Sequence, residues 1–293
     1  MSKWRKIAII ALSLVLAIGI GGMLYSHLSS KNAMDQYDEA LQLVELPRLK
    51  EESDPPIYVF PDPIITEDTT EADTQVDIND ETSPLAPLPE TPQEPIPTAE
   101  ELYMQELAEM DISSLKAVNS DVLGWIVIPN TTISYPLLQG EDNQYYLKHT
   151  WKKKWNTAGA IYLDYRNSPQ LNDFHSIIYG HRRRDETMFS PLLGYKENSF
   201  YQEHPFVYVV TDAGVARYAI FSAYYDKTSG NSWRLGLNDE SGKQAFIDYC
   251  LDKSLLSTQV VPTVEDSILT LSTCSGLGDD TMRWVVHAVL IKE

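Results

Sequence analysis

The stretch SILTLSTCSGLGDDTMRWVVHAVL, residues 267–290, decides the fold. It holds two apolar runs in which large side chains alternate with small or polar ones, divided by a glycine- and aspartate-rich turn, which predicts two neighbouring strands. In the first run one face carries Thr270, Ser272 and Cys274. A cysteine that ends a strand on a polar face is a candidate nucleophile. The alternative is a small buried residue, since a free cysteine is among the most buried residue types.

Six further runs rich in β-branched and aromatic residues precede this stretch. They are GWIVIP (124–129), ISYPLLQ (133–139), GAIYLDY (159–165), HSIIYGH (175–181), FVYVVT (206–211) and VARYAIFSAYY (215–225). Helical patterns occur after Thr98, which with Glu101 fits a capping box, and again near residues 113–119 and 241–252. Eight strands with few helices predict a mostly β fold, a barrel or sandwich with peripheral helices.

The N-terminus has the pattern of a membrane anchor. Lys3, Arg5 and Lys6 precede residues 7–25, which carry no charge. A helix needs about 20 residues to cross a bilayer, whereas the apolar part of a signal peptide spans about 7 to 15. We expect a cytoplasmic tail over 1–6, a retained transmembrane anchor over 7–25 and an extracellular remainder; a cleaved signal peptide is the alternative.

Between the anchor and the β-rich region lie two segments of different composition. We expect residues 26–50 to be a juxtamembrane segment, in which the pattern over 31–50 weakly predicts a short amphipathic helix ended by Pro47. Residues 51–100 hold ten prolines, fourteen acidic residues and no lysine or arginine, and such a composition cannot bury enough apolar surface to fold. We therefore expect a disordered linker over 51–97 and a folded domain over 98–293. The whole chain has a net charge of −19, and without residues 51–100 the net charge is only −5. The acidity therefore comes mostly from this segment and not from the folded domain.

The chain has two cysteines, Cys250 and Cys274. In an extracellular domain a disulfide between them is the first alternative to consider. Cys250, however, shares a helical face with Phe246, which predicts a buried core thiol, so we expect both cysteines to be free. No pair or cluster of cysteine and histidine has the spacing of a metal site, and we expect no metal.

A cysteine nucleophile requires a base or a cationic neighbour. His181 is the candidate because it ends an apolar run just before the charged turn RRRDE. His287 falls within a strand, about 13 Å from Arg283 along it, and is expected to be a hydrogen-bonded strand residue. Surface positions are expected for the other four histidines: His27, His149, His175 and His204.

Arg283 opens the last strand, directly after the turn that follows Cys274. An arginine at this place is either a surface residue paired with Asp279 or Asp280, or a fixed cation beside the cysteine. If the two strands are neighbours, the guanidinium comes close to Cys274, where it can stabilise a thiolate or an oxyanion.

These residues resemble the catalytic signature of sortases, the cysteine transpeptidases of Gram-positive bacterial surfaces. TLSTC (270–274) is followed within about ten residues by an arginine, and YGH (179–181) lies upstream. The resemblance is closest to class B and covers about residues 100–293. Three further blocks resemble segments of that class in order: DVLGWIVIPNTTISYPLLQGEDNQYYLKH (121–149), AGAIYLDYRN (158–167) and IIYGHRRRDETMFSPL (177–192).

The resemblance implies a closed sortase β-barrel with N-terminal and peripheral helices, and it implies no cofactor. His181, Cys274 and Arg283 match the catalytic residues. The positions that match the groove for the sorting signal are Asn143, Leu147, Tyr179 and Ser272. The implied reaction cleaves a C-terminal sorting signal after threonine and transfers the protein, through a thioester, to an amine of the peptidoglycan cross-bridge or of a pilin lysine.

Two other functions stay open from the residues alone. A cysteine peptidase would use the same cysteine and histidine with water as acceptor. A non-catalytic wall-binding protein would use the basic clusters WKKKW (151–155) and RRR (182–184), although charge runs of this kind are usually solvated turns. No nucleic-acid motif is present, so we expect protein and cell-wall partners.

Overall fold

The computed structural model describes residues 3–44, 46–47, 97–274 and 281–292; the predicted linker over 51–97 lies outside them apart from Pro97. The strands are β1 (Val122–Val127), β2 (Ser134–Leu138), β3 (Ile161–Leu163), β4 (His175–His181), β5 (Phe206–Thr211), β6 (Gly214–Lys227), β7 (Ile268–Cys274) and β8 (Met282–Leu290). The α-helices are α1 (Lys3–Val44), α2 (Ala99–Ala108), α3 (Ser113–Val118), α4 (Asn198–Glu203) and α5 (Glu240–Lys253).

The eight predicted strands are all present, and they close into a barrel in the order β1-β2-β3-β4-β7-β8-β6-β5. The pairs β2–β3 and β4–β7 are parallel, and the other neighbouring pairs are antiparallel. Among the strands of the described residues, closure leaves no edge strand, and it places β7 between β4 and β8. The prediction of a closed, mostly β fold is confirmed.

The interior of the barrel is filled by large aromatic and aliphatic side chains. Trp125 and Trp284 are fully buried, and the Trp284 indole donates a hydrogen bond to the carbonyl of Leu192 at 2.7 Å. Outside the barrel, α5 packs with Phe246 and Cys250 buried. Cys250 is a free, fully buried thiol, as its place on the helix predicted.

The predicted capping box at the start of α2 is confirmed. The Thr98 hydroxyl accepts from the Glu101 amide at 3.2 Å, and the Glu101 carboxylate accepts from the Thr98 amide at 2.7 Å. These two bonds satisfy two of the orphan amides at a helix start. The helix therefore begins where its local sequence specifies.

The helix α1 runs without a break from Lys3 to Val44, through the predicted anchor and into the predicted juxtamembrane segment. Its second half packs against the barrel, with one buried face at helical spacing: Ala33, Tyr37, Ala40 and Val44. Among the residues that the structure describes, none of the helices combines the length and apolar character that crossing a membrane requires.

Candidate active site

The candidate catalytic residues lie on three strands that are neighbours in the barrel. The backbone of His181 in β4 is opposite that of Cys274 in β7, and both residues end their strands. β8 runs antiparallel to β7 with Val285 opposite Ser272, so Arg283 lies two residues further toward the same end. The barrel thus brings a histidine, a cysteine and an arginine from two distant parts of the chain to one rim.

The imidazole of His181 is held by the backbone of a neighbouring loop. Its Nε2 lies 2.7 Å from the carbonyl oxygen of Leu147. A carbonyl can only accept, so Nε2 carries a hydrogen, and Nδ1 is the nitrogen that gains and loses a proton. Burial lowers the pKa of His181, the Leu147 carbonyl opposes that shift, and the cations Arg183 and Arg283 lower it further.

Glycine at position 159 allows the loop backbone to lie directly against this imidazole. Gly159 has φ +61°, and a Cβ placed there would come within 2.8 Å of His181 Cδ2 and 2.9 Å of the Leu147 carbonyl oxygen. A side chain at this position would thus displace the ring or the carbonyl that orients it. Nothing in the local sequence distinguishes Gly159 from other glycines, because the contact joins residues far apart in the chain.

The glycine of the YGH motif has a packing role. A Cβ on Gly180 would meet Ile161 Cδ1 at 2.5 Å and Phe189 Cδ2 at 2.6 Å. Only a residue without a side chain lets those two apolar groups pack beneath the strand next to His181. The motif therefore combines a close-packed glycine with the functional histidine that follows it.

A buried carboxylate connects two of the predicted groove residues. Asp164 has a fully buried side chain and accepts hydrogen bonds from Asn143 Nδ2 at 2.9 Å and from the Tyr179 hydroxyl at 3.0 Å. Arg166 adds a two-pronged ion pair, with its nearer nitrogen 2.7 Å from the carboxylate. Burial opposes ionisation of Asp164, but these hydrogen bonds outweigh it and lower its pKa. Asn143 and Tyr179 were predicted from the sequence, whereas the Asp164 carboxylate that fixes them was not.

The other two predicted groove residues are Ser272 and Leu147. Ser272 is opposite Tyr179 across β4 and β7, and its hydroxyl accepts from the Trp233 indole at 3.4 Å. Leu147 closes a short 3₁₀ turn, and its carbonyl faces His181. Ser272 is fully buried, whereas Asn143, Leu147 and Tyr179 are half-buried.

Arg283 has an acidic residue opposite it on the other neighbouring strand. Its register partner in β6 is Asp226, whose carboxylate is 2.6 Å from the Ser232 hydroxyl and 2.8 Å from Lys253 Nζ. The guanidinium also donates to the carbonyl of Met282 at 3.0 Å. The alternative partners Asp279 and Asp280 lie outside the described residues.

Of the other buried histidines, one lies where the sequence predicted and two do not. His287 is buried between Thr270 and Tyr224, at 2.7 and 3.0 Å, as a hydrogen-bonded strand histidine should be. The surface positions expected for His175 and His204 are wrong, because the structure buries both. His175 lies under α5, where its ring contacts Phe246, and α5 covers that end of the sheet face while the His181 end stays more open.

The basic cluster at 151–155 is not simply a solvated turn. Trp151 is fully buried, and its indole donates to the carbonyl of Gln36 in α1 at 2.8 Å. Lys152 forms an ion pair with Glu39 of the same helix. The cluster therefore includes contacts with α1, which a charge count could not indicate.

The closed eight-stranded barrel is the fold of a sortase-type cysteine transpeptidase. The chain belongs to the sortase family, since the family model described as the sortase domain matches residues 126–291.

Comparison with individual relatives places the chain in class B. It is 35% identical over 189 residues to sortase B of Staphylococcus aureus, covering 64% of this chain and 78% of that protein. Sortase B of Listeria monocytogenes is 33% identical over 185 residues, covering 62% and 74%. The solved Staphylococcus aureus sortase B–substrate complex is 36% identical with a TM-score of 0.59, covering 62% of this chain and 84% of that one.

Proposed function

We propose that this class B sortase uses Cys274 as nucleophile, His181 as general acid and base, and Arg283 as oxyanion stabiliser. The observation that carries the proposal is the register of β4 and β7, in which the backbones of His181 and Cys274 are paired at the same rim. Catalysis by a cysteine requires a histidine within reach of the thiol. The position of Arg283 at the start of the next strand supports its role.

In the proposed first half-reaction, the Cys274 thiolate attacks the carbonyl carbon after the threonine of a C-terminal sorting signal. The peptide π electrons move to oxygen, and the resulting oxyanion is stabilised by Arg283 and by backbone amides. When the intermediate collapses, the C–N bond breaks and the His181 imidazolium protonates the departing amine. The products are a thioester on Cys274 and a free C-terminal peptide.

In the second half-reaction an acceptor amine attacks the thioester. His181, now neutral, takes the proton of that amine, and collapse forms the new amide and releases the thiolate. Because burial lowers the pKa of His181, its imidazolium is a stronger acid toward the first leaving group. The acceptor class we propose is an amine of a peptidoglycan precursor or of a pilin lysine.

The sorting signal would lie in the groove that Asn143, Leu147, Tyr179 and Ser272 line. The support is the buried Asp164, which holds Asn143 and Tyr179 through its own hydrogen bonds. Groups fixed in this way do not lose rotamer freedom when substrate binds, which favours a preformed groove. The named Staphylococcus aureus relative was solved with a substrate, which supports a protein-derived substrate here.

We propose that residues 7–25 anchor the enzyme in the cell membrane with the catalytic domain outside the cell. Apart from the uncharged run itself, the support is a set of large apolar side chains on α1 that lie more than half exposed: Leu12, Leu14, Val15, Leu16, Ile18, Ile20, Met23, Leu24, Tyr25 and Leu28. Soluble proteins rarely expose so large a contiguous apolar surface to water. A lipid environment would cover it.

The experiment incubates the protein with a panel of sorting-signal peptides, with and without an amine acceptor, and resolves the products by mass spectrometry. Cys274→Ala and His181→Ala should each abolish both cleavage and amide formation. Arg283→Ala should lose about 10² to 10³ in rate, and Arg283→Lys should recover only part, because lysine lacks the planar fork. His287→Ala is the matched control, since that buried histidine is bonded to Thr270 and Tyr224.

Full activity of Cys274→Ala in folded protein would refute the nucleophile. If His287→Ala were as damaging as His181→Ala with the fold intact, the histidine would be wrongly assigned. Cleavage that yields only the hydrolysed peptide, whatever amine is added, would favour the peptidase instead.

A further inference from the structure

The second half of α1 contacts the two loops that flank His181. The first loop leads from Leu147 to β3: its Trp151 indole and Thr150 hydroxyl donate to Gln36 at 2.8 and 2.7 Å, and Asn156 Nδ2 donates to the carbonyl of Ser29 at 2.9 Å. All of these bonds join residues more than 110 positions apart. α1 is therefore part of the wall around the site.

The second loop, residues 182–188, follows His181 directly. The Ser30 hydroxyl donates to the Asp185 carboxylate at 2.7 Å and accepts from Arg183 Nη2 at 2.7 Å. A cavity of about 520 Å³ is lined by α1 residues 23, 26, 27 and 30 together with His181 and this loop. The histidine thus lies at the junction of α1 with both loops.

One residue of α1 reaches the backbone that touches the imidazole. Tyr37 is 3% exposed, and its hydroxyl donates to the carbonyl of Gly159 at 2.6 Å. Gly159 is the residue whose backbone leaves no room for a Cβ beside His181 Cδ2. The Tyr37 ring also packs edge-on against Tyr135, at 5.3 Å between centroids, and the Tyr135 hydroxyl accepts from the Met188 amide.

We propose that Tyr37 is a positioning residue of the active site, which holds the Gly159 backbone against the His181 ring and so fixes the histidine for proton transfer. The inference rests on the proposed function, in which His181 moves the protons. Tyr37 precedes the acidic linker and lies outside residues 126–291, which the family model matches, yet its loss should slow the reaction. Residues 51–96 then connect α1, which carries Tyr37, to the barrel domain that begins with α2.

The test compares Tyr37→Phe with Tyr195→Phe in the full chain. Tyr195 is the matched control because its buried hydroxyl also donates to a backbone carbonyl, that of His204, at 2.7 Å. Both variants lose one buried bond of the same kind and should lose a similar amount of stability in urea unfolding. Only Tyr37→Phe should lower kcat, by about tenfold with KM unchanged, because a misplaced catalytic group costs rate rather than binding.

The second measurement is the pH dependence of Cys274 alkylation by iodoacetamide. In a plot of alkylation rate against pH, the step that is present in the wild type and absent in His181→Ala reports the titration of His181; this step is called the histidine limb. Burial lowers the pKa of His181. In Tyr37→Phe the Gly159 backbone is no longer held, water reaches the imidazole, and the pKa of His181 should rise toward its ordinary value. The histidine limb should therefore move to higher pH in Tyr37→Phe but not in Tyr195→Phe. Replacing residues 51–96 by a glycine–serine segment of equal length should leave kcat and the profile unchanged.

Wild-type kcat and an unmoved limb in Tyr37→Phe would overturn the proposal, as would an equal loss of kcat in Tyr195→Phe. Failure of the proposed function looks different: His181→Ala would then keep transpeptidation and the wild-type alkylation profile.

Discussion

Replacing Gly159 by alanine tests how tightly the active-site backbone is built. The residue has φ +61°, where an L-residue with a side chain is strained by about 1 to 2 kcal/mol. Its new Cβ would lie 2.7 Å from the Tyr146 carbonyl oxygen and 2.8 Å from His181 Cδ2. Ordinary contacts are about 3.5 to 4.0 Å, so a neighbour must move by about 0.7 Å or more.

The two backbone neighbours cannot move without losing hydrogen bonds. The Tyr146 carbonyl accepts from the Ala160 amide at 2.9 Å, and the Leu147 carbonyl holds His181. The His181 imidazole is therefore the group that moves away from the new Cβ. Overpacking typically costs about 1 to 3 kcal/mol, so the free energy of unfolding should fall by about 2 to 5 kcal/mol in total. A ring displaced by nearly 1 Å should lower turnover by up to about 10²-fold.

Urea unfolding and the peptide-plus-amine assay measure the two effects separately. Gly236→Ala is the matched control, because Gly236 has φ +70° with nothing within 4 Å of its would-be Cβ. It should lose only the backbone part, about 1 to 2 kcal/mol, at wild-type turnover. Wild-type turnover in Gly159→Ala would refute the argument that this backbone fixes the histidine.

Two further outcomes follow from buried groups. Burial lowers the pKa of His175 to about 4, below the value of about 6.5 in the unfolded chain. The unfolded chain therefore takes up a proton before the folded protein does, and the free energy of unfolding falls as the pH drops from above 6.5 toward 4. Between pH 7.5 and 5.5 the expected loss is about 1.3 kcal/mol. Urea midpoints at the two pH values measure this, and His175→Asn should lose part of the dependence. Cys250→Ala should keep transpeptidation and lose about 1 to 2 kcal/mol, and mass spectrometry should find both thiols free; a disulfide between Cys250 and Cys274 would contradict the assignment.

Sequence reasoning succeeded where the signal is local. Each strand overlaps a short run rich in β-branched and aromatic residues, and the start of α2 is specified by Thr98 and Glu101 alone. Cys250 is buried because its helical neighbours are apolar. The candidate catalytic residues could be named from short motifs at strand ends, with the family resemblance to choose among the histidines.

Only the tertiary structure decided which distant segments meet. β4 and β7 are parallel neighbours although about ninety residues separate them, and that pairing sets His181 opposite Cys274. The same holds for Asp164 beneath Asn143 and Tyr179, for the burial of His175 under α5, and for Tyr37 against Gly159. Contacts between residues so far apart leave no periodic pattern in the chain, because they depend on how whole elements pack and not on the propensity of any one segment.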